Sequence, residues 1–101
     1  MSVILCIARY HHGVEFLRRG WLKYIGGTVI EFEEDVDKLC YWNLLGTVKF
    51  LGYDLSKSTK LYYLEAGKTM SSVLKLISND RDVLCLADEM RRSNIIDIYI
   101  E

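Results

Sequence analysis

Two adjacent histidines, three cysteines and a run of carboxylates are the residues of this 101-residue chain whose chemistry is worth testing first. His11 and His12 are its only imidazoles. Neighbours on an extended chain point to opposite sides, so the pair does not readily grip one metal ion, and spacing suggests no third ligand. Cys6, Cys40 and Cys85 are an odd set with no CxxC among them, which supports neither a zinc ribbon nor a thioredoxin-type redox pair. A secreted domain of this size normally pairs its cysteines. Each of the three lies in an apolar segment, where a free thiol behaves as a small hydrophobe, so all three are expected in the core. Ser56, Ser58, Ser71, Ser72 and Ser78 stand outside any recognisable nucleophile motif. Gly26-Gly27 lacks the spacing to cradle a phosphate, and no P-loop or dinucleotide glycine pattern occurs. Glu31, Glu33, Glu34, Asp35 and Asp37 crowd a strand end, where solvent is expected to keep them ionised. These readings argue against an enzyme and imply neither metal nor cofactor.

The composition agrees with a small folded domain. Half of the residues are apolar, 27% are charged, 12% are aromatic and none is proline. The length suits one domain over residues 1–101, and the apolar share suffices for a packed core. No apolar run reaches the roughly 18 residues that a membrane span needs. The opening Val3–Ala8 is short and lacks a cationic flank, so neither secretion nor membrane insertion is expected. The net charge of −1 argues against a general polyanion binder. That total hides segregated blocks. Residues 1–30 carry +3, residues 31–37 carry −5, residues 38–79 carry +4 and residues 80–101 carry −3. Arg18, Arg19 and Lys23 form a local basic cluster. Opposed patches on one small body can dock head to tail, although isolated surface charges are usually just solvated.

Periodicity outlines the elements. Val3 to Tyr10 is apolar on both alternating sets, as expected of a central strand covered on both faces or nearly so. His11-His12-Gly13 supplies a turn, and Val14–Leu17 is a candidate hairpin partner. Residues 18–24 read as irregular, and Gly26-Gly27 as a sharp turn or bulge. Thr28–Glu33 is a second clear strand. Tyr41, Leu44, Leu45, Val48 and Leu51 make one stripe of a helix over about 38–51. Asp35 or Asp37 lies ahead of it and Gly52 stops it. Lys60–Glu65 is a third strand. Residues 69–77 suit either a helical turn or a short strand at 73–77. A second helix starts at Asp80, a natural N-cap, and Ile95–Ile100 closes the chain as a strand. The order ββαβ, a short element, then αβ excludes simple βαβ repetition. It suggests an α+β fold, a mixed sheet of four to five strands with two helices on one side. The ubiquitin-like β-grasp fits best, with the last strand beside the first; a ferredoxin-like sandwich fits less well.

The first helix carries a second apolar stripe of Trp42, Gly46 and Phe50. Burial beneath residues 53–59 is expected for it, with an exposed partner-binding surface as the alternative. Tyr62 and Tyr63 must lie on opposite faces of their strand.

Taken in order, His11-His12-Gly13, Tyr24–Val29, Asp35-Val36-Asp37, Val48–Tyr53, Leu61-Tyr62-Tyr63, Asp80–Val83 and Asp97–Glu101 resemble a plant Phox/Bem-like domain. Such domains stand at the N-terminus of Mutator-like transposases and their domesticated relatives. The resemblance spans nearly the whole chain. It implies a ubiquitin-like, non-catalytic interaction module of a larger protein in the plant cell nucleus, with the cytoplasm as the alternative. It also implies charge pairing, with Arg9, Arg18 and Arg19 on the basic side, and marks Asp80 and Asp82 as signature positions. The family's acidic stretch reads Leu64-Glu65-Ala66-Gly67-Lys68 here, with a single carboxylate. Cys40 and Asn43 stand where the family places a serine and an acidic residue, which weakens that capping box by about 0.5–1 kcal/mol.

The expected function is therefore protein–protein interaction or self-association. The residues expected to carry it are Arg9, Arg18, Arg19, Lys23, Glu31, Glu33, Glu34, Asp35, Asp37, Trp42, Phe50, Asp80 and Asp82. A nucleic-acid-binding accessory domain using Arg18, Arg19 and Lys23 is the alternative.

Overall fold

The computed structural model describes residues 4–13, 15–18, 22–25, 27–54, 59–64 and 74–101, with the backbone alone described over 15–18 and 22–25. In chain order the elements are β1 (Leu5–His12), β2 (Glu15–Arg18), β3 (Leu22–Ile25) and β4 (Thr28–Asp35). A 3-10 turn (Val36–Lys38) and α1 (Tyr41–Phe50) follow, then β5 (Leu61–Leu64), β6 (Leu74–Ile77), α2 (Asp80–Arg92) and β7 (Ile95–Ile100). Five strands form one mixed sheet in the order β4-β1-β7-β5-β6, while β2 and β3 pair as a separate ribbon. β1 runs parallel to β7, with Ile7 across from Ile95 and His11 across from Tyr99. Its other neighbour, β4, is antiparallel. First and last strands are thus adjacent, and the fold is an α+β, ubiquitin-like β-grasp.

The alternation of strand residues decides which face is covered. Cys6, Ala8 and Tyr10 of β1, Ile96, Ile98 and Ile100 of β7, Leu61 and Tyr63 of β5, and Ile77 of β6 are all buried. Against them pack Leu44 and Val48 of α1 and Val83, Leu86, Ala87 and Met90 of α2. Each large aliphatic side chain so enclosed contributes roughly 1.5–3 kcal/mol. On the opposite face of β1, Leu5 and Ile7 are 48% and 37% exposed. The two-sided apolarity of the first strand therefore does not signal cover on both faces.

Several local expectations are corrected. The hairpin partner of β1 is β4, not Val14–Leu17, and part of the stretch read as irregular is β3. Of the glycine pair expected to make a sharp turn, Gly27 stands immediately before β4 with a positive φ of 93°, and Gly26 lies outside the described residues. The helix begins at Tyr41, the first residue of its stripe, and not at the expected bound near 38, because Asp35 caps a 3-10 turn over Val36–Lys38 first, accepting from the Asp37 N–H at 3.1 Å. Of the ambiguous 69–77, Leu74–Ile77 is strand β6, and 69–73 lie outside the described residues. Only Cys6 is buried; Cys40 is partly covered and Cys85 exposed.

The helix ends are specified by side chains and by one glycine. At the end of α1, Gly52 has φ +99°. Its N–H bonds to the Lys49 carbonyl at 3.0 Å, and that of Tyr53 to the Val48 carbonyl at 3.2 Å, a Schellman pair. At the start of α1, the Asn43 amide oxygen accepts from the Cys40 N–H at 3.0 Å, so one half of the capping box survives the unusual residues. Asp80 completes that end from another element: its carboxylate accepts from the Tyr41 N–H at 2.9 Å. The N-cap of α2 is Asn79 rather than Asp80, accepting from the Asp82 N–H at 2.9 Å. The Asp82 carboxylate in turn accepts from the N–H and hydroxyl of Ser78, the residue before that cap, each at 2.9 Å. Asp80 thus stands in the first turn of α2 and at the N-terminus of α1 together, where both helix dipoles favour it. Asp80→Ala is expected to lower unfolding stability by about 1–2 kcal/mol in urea denaturation, while Asp80→Asn, which keeps an acceptor, loses less.

Candidate functional site

Among the described residues, polar or aromatic side chains come together on several surfaces. The first is the sheet face away from the helices. Arg9 and His11 on β1 converge on Asp97 of β7, because the parallel register sets Arg9 across from Asp97. The Arg9 Nη2 donates to Asp97 Oδ2 at 3.1 Å, its Nε lies 3.0 Å from Oδ1, and His11 Nε2 lies 2.8 Å from Oδ1. Burial alone would raise the Asp97 carboxyl, but the hydrogen bonds from His11 and Arg9 outweigh it and hold its pKa below the ordinary value. The His11 ring stacks on Tyr99 at 4.4 Å. Burial, and then the nearby Asp97 charge, push the Tyr99 phenol up to about 12. His12 points the other way, its Nδ1 lying 3.0 Å from the Tyr53 hydroxyl. The two histidines therefore cannot share a ligand. Among the described residues no cluster of three or more His, Cys, Asp or Glu could hold a metal ion.

The second surface is the outward side of α1. Trp42 and Phe50 are 76% and 79% exposed, so neither is buried beneath residues 53–59 as expected. The physical reason is the width of the apolar stripe. Leu44 and Val48 already fill the sheet-facing side of the helix, and residues 42, 46 and 50 fall on another. With Phe32 of β4, these residues line an apolar groove of about 370 Å³ between the helix and the edge of the sheet. Phe32 and Phe50 meet edge to face at 6.3 Å. Asn43 and Thr47 lie in this groove and also in a polar recess that continues it toward Glu34, Asp35 and Lys38.

The third surface is the acidic edge strand itself. Register with β1 places Glu31, Glu33 and Asp35 on the face opposite the helices, across from Arg9, Ile7 and Leu5, while Glu34 lies on the helix side across from Cys6. Glu31 and Glu33 are exposed; Asp35 and Glu34 are partly covered. Burial pushes the Glu34 carboxyl up, so the acidic run is not uniformly solvated as expected. Asp37 pairs with Arg91 at 3.3 Å.

Of the residues singled out from the sequence, Trp42, Phe50, Glu31 and Glu33 stand exposed on adjoining surfaces. Arg9 is held by Asp97, and Asp80 and Asp82 by helix N-termini. Arg18 and Lys23 sit on β2 and β3, and their side chains, like Arg19 altogether, lie outside the described residues. Phe32 and Gly46 complete the groove. Gly46 was visible in the second helical stripe, whereas nothing in the spacing of Phe32 brings it beside that helix. Among the described residues no helix is long and apolar enough to cross a membrane.

A family model described as the PB1-like domain matches residues 4–101. The chain belongs to the PB1-like domain family. Such domains generally mediate protein–protein interaction and are non-catalytic modules. No curated protein and no solved structure matches the chain.

Two carboxyls give opposite pH signatures. Asp97 has a lowered pKa, so its pairing stabilises the fold above the ordinary aspartate range and that contribution is lost as pH falls through the folded value. Asp97→Asn is expected to cost about 1 kcal/mol at neutral pH, after discounting for partial exposure, and to flatten the acid limb of the stability profile. Glu34 has a raised pKa, so its contribution is fully present at acid pH and lost as pH rises through the folded value. Glu34→Gln is therefore expected to raise the melting temperature at neutral pH, with the gain vanishing near pH ~3 where the wild-type carboxyl is protonated. Thermal melts across pH check both.

Proposed function

We propose that this PB1-like domain is the interaction or self-association module of a plant transposase-derived protein acting in the nucleus. The observation that carries the interaction reading is the pair Trp42 and Phe50, held outward on a helix packed across the sheet. Exposed aromatic side chains on a rigid element lose little conformational freedom on binding and are the usual anchors of protein interfaces. A helix that is apolar on its outward side as well calls for a second packing partner. The reading of origin and compartment is supported by the ordered set of residues from His11-His12-Gly13 to Asp97–Glu101. Self-association is supported by the segregation of charge, with −5 over residues 31–37 against +4 over 38–79.

Size-exclusion chromatography with light scattering at low and high salt, alongside a DNA-binding titration, tests this reading. Association between copies, or with a partner, is expected with weak salt dependence where aromatic contacts dominate. A strict monomer at high concentration that binds DNA tightly, with affinity falling steeply as salt rises, would favour the nucleic-acid alternative and overturn it. A fusion to a large fluorescent carrier is expected to accumulate in plant nuclei; exclusion from the nucleus would remove the compartment from the proposal.

A further inference from the structure

The acidic edge of the sheet and the aromatic groove beside it form one continuous feature. β4 ends the sheet and pairs with β1, so the far side of its backbone is the side on which a further strand adds. Its residues alternate in character. Phe32 turns toward α1 and lines the groove with Trp42, Gly46 and Phe50. Glu31 and Glu33, on either side of it in sequence, lie on the opposite face and are exposed. Arg9, the cross-strand neighbour of Glu31, gives its charge to Asp97 instead. No other cation among the described residues pairs with either carboxylate.

Gly46 adds an independent observation. A glycine inside a helix costs about 1 kcal/mol relative to alanine. Nothing lies within 4 Å of where its Cβ would stand, and its φ is not positive, so neither packing nor backbone geometry demands it. What the missing side chain does leave is space in the groove. Charged residues on an edge strand do discourage aggregation, but that role asks for no aromatic trough alongside.

We infer that β4 accepts an extended segment of a partner protein in which apolar residues alternate with lysine or arginine. The inference rests on the reading of the domain as an interaction module and names its site and the partner's chemistry. A residue across from Phe32 enters the groove; those before and after it lie over Glu31 and Glu33, because side chains alternate along a strand. Main-chain hydrogen bonds supply affinity and the alternating side chains supply selectivity. A second copy of β4 is a poor occupant, since it brings Glu31, Glu33, Glu34 and Asp35 against the same carboxylates, and like charges directly opposite are destabilising.

The whole chain, immobilised, is used to select from a phage library of random decapeptides, and selected peptides are resynthesised for anisotropy titration. The expected peptides alternate basic and apolar residues. Their affinity falls roughly tenfold or more for the double variant Glu31→Lys/Glu33→Lys, and likewise for Gly46→Leu, which fills the groove. Gly46→Leu is expected to keep or raise the melting temperature, so its loss of binding is not a loss of fold. Selected peptides without the alternation, or peptides bound equally by both variants, would place binding elsewhere and overturn the inference while the module reading stands. A dimer abolished by the charge-reversed double variant would overturn it in favour of self-pairing. No enriched peptide, from a chain that is also monomeric, would count against both.

Discussion

The parallel pairing of β1 with β7 is the constraint on which the rest of this fold depends. Parallel neighbours cannot be joined by a tight turn and need a crossover, and here all the other elements lie between the first strand and the last. This arrangement puts β1 and β7 at the centre, with antiparallel partners outside them. Cys6, Ala8 and Tyr10 then line up beside Ile96 and Ile98 on one face, and both helices close over that face alone. The same register brings Asp97 beside Arg9 on the other side of the sheet. An ion pair between residues 88 positions apart in sequence is thus a direct product of one strand pairing.

The pairing also exiles β4 to the edge, and this gives the domain its chemical character. Its carboxylates would be unfavourable in a central strand. At the rim Glu31 and Glu33 stand in solvent, while Glu34 and Asp35 are partly covered and burial pushes the Glu34 carboxyl up. The helix above this rim uses Leu44 and Val48 for the core and has no further surface to cover, so Trp42 and Phe50 remain outside. A charged margin and an aromatic trough end up contiguous because one strand and one helix meet at the end of the sheet. Asp80 shows similar economy. A single carboxylate accepts from the first turn of α1 while standing in the first turn of α2, so one hydrogen bond ties the two helix ends together.

Strong periodicity made most elements legible. Thr28–Glu33, the stripe of α1 and the isoleucines of β7 each announce their type through local spacing, and the order of elements was enough to reach the grasp. Short pieces were not legible. Leu74–Ile77 holds its shape through its partner β5, and β3 through β2; four residues carry too little pattern of their own. The start of α1 was misplaced because a 3-10 turn and an α-helix can share one run of polar and apolar residues. Capping by Asp80 was out of reach because its acceptor and the donor N–H are 39 residues apart.

The sequence by itself determined the residue alternation of the strands, the dominant helix stripes and the clustering of charge, since these are local regularities of hydropathy and side-chain type. The sequence reading places His11 and His12 in a turn; the structure extends β1 through both, and it is as neighbours on that strand that they face apart. Only the tertiary structure decided which apolar residues stay in solvent. Leu5, Ile7, Trp42 and Phe50 are as hydrophobic as their buried neighbours. What separates them is that two helices cover one face of the sheet, and each helix has only one side to bury.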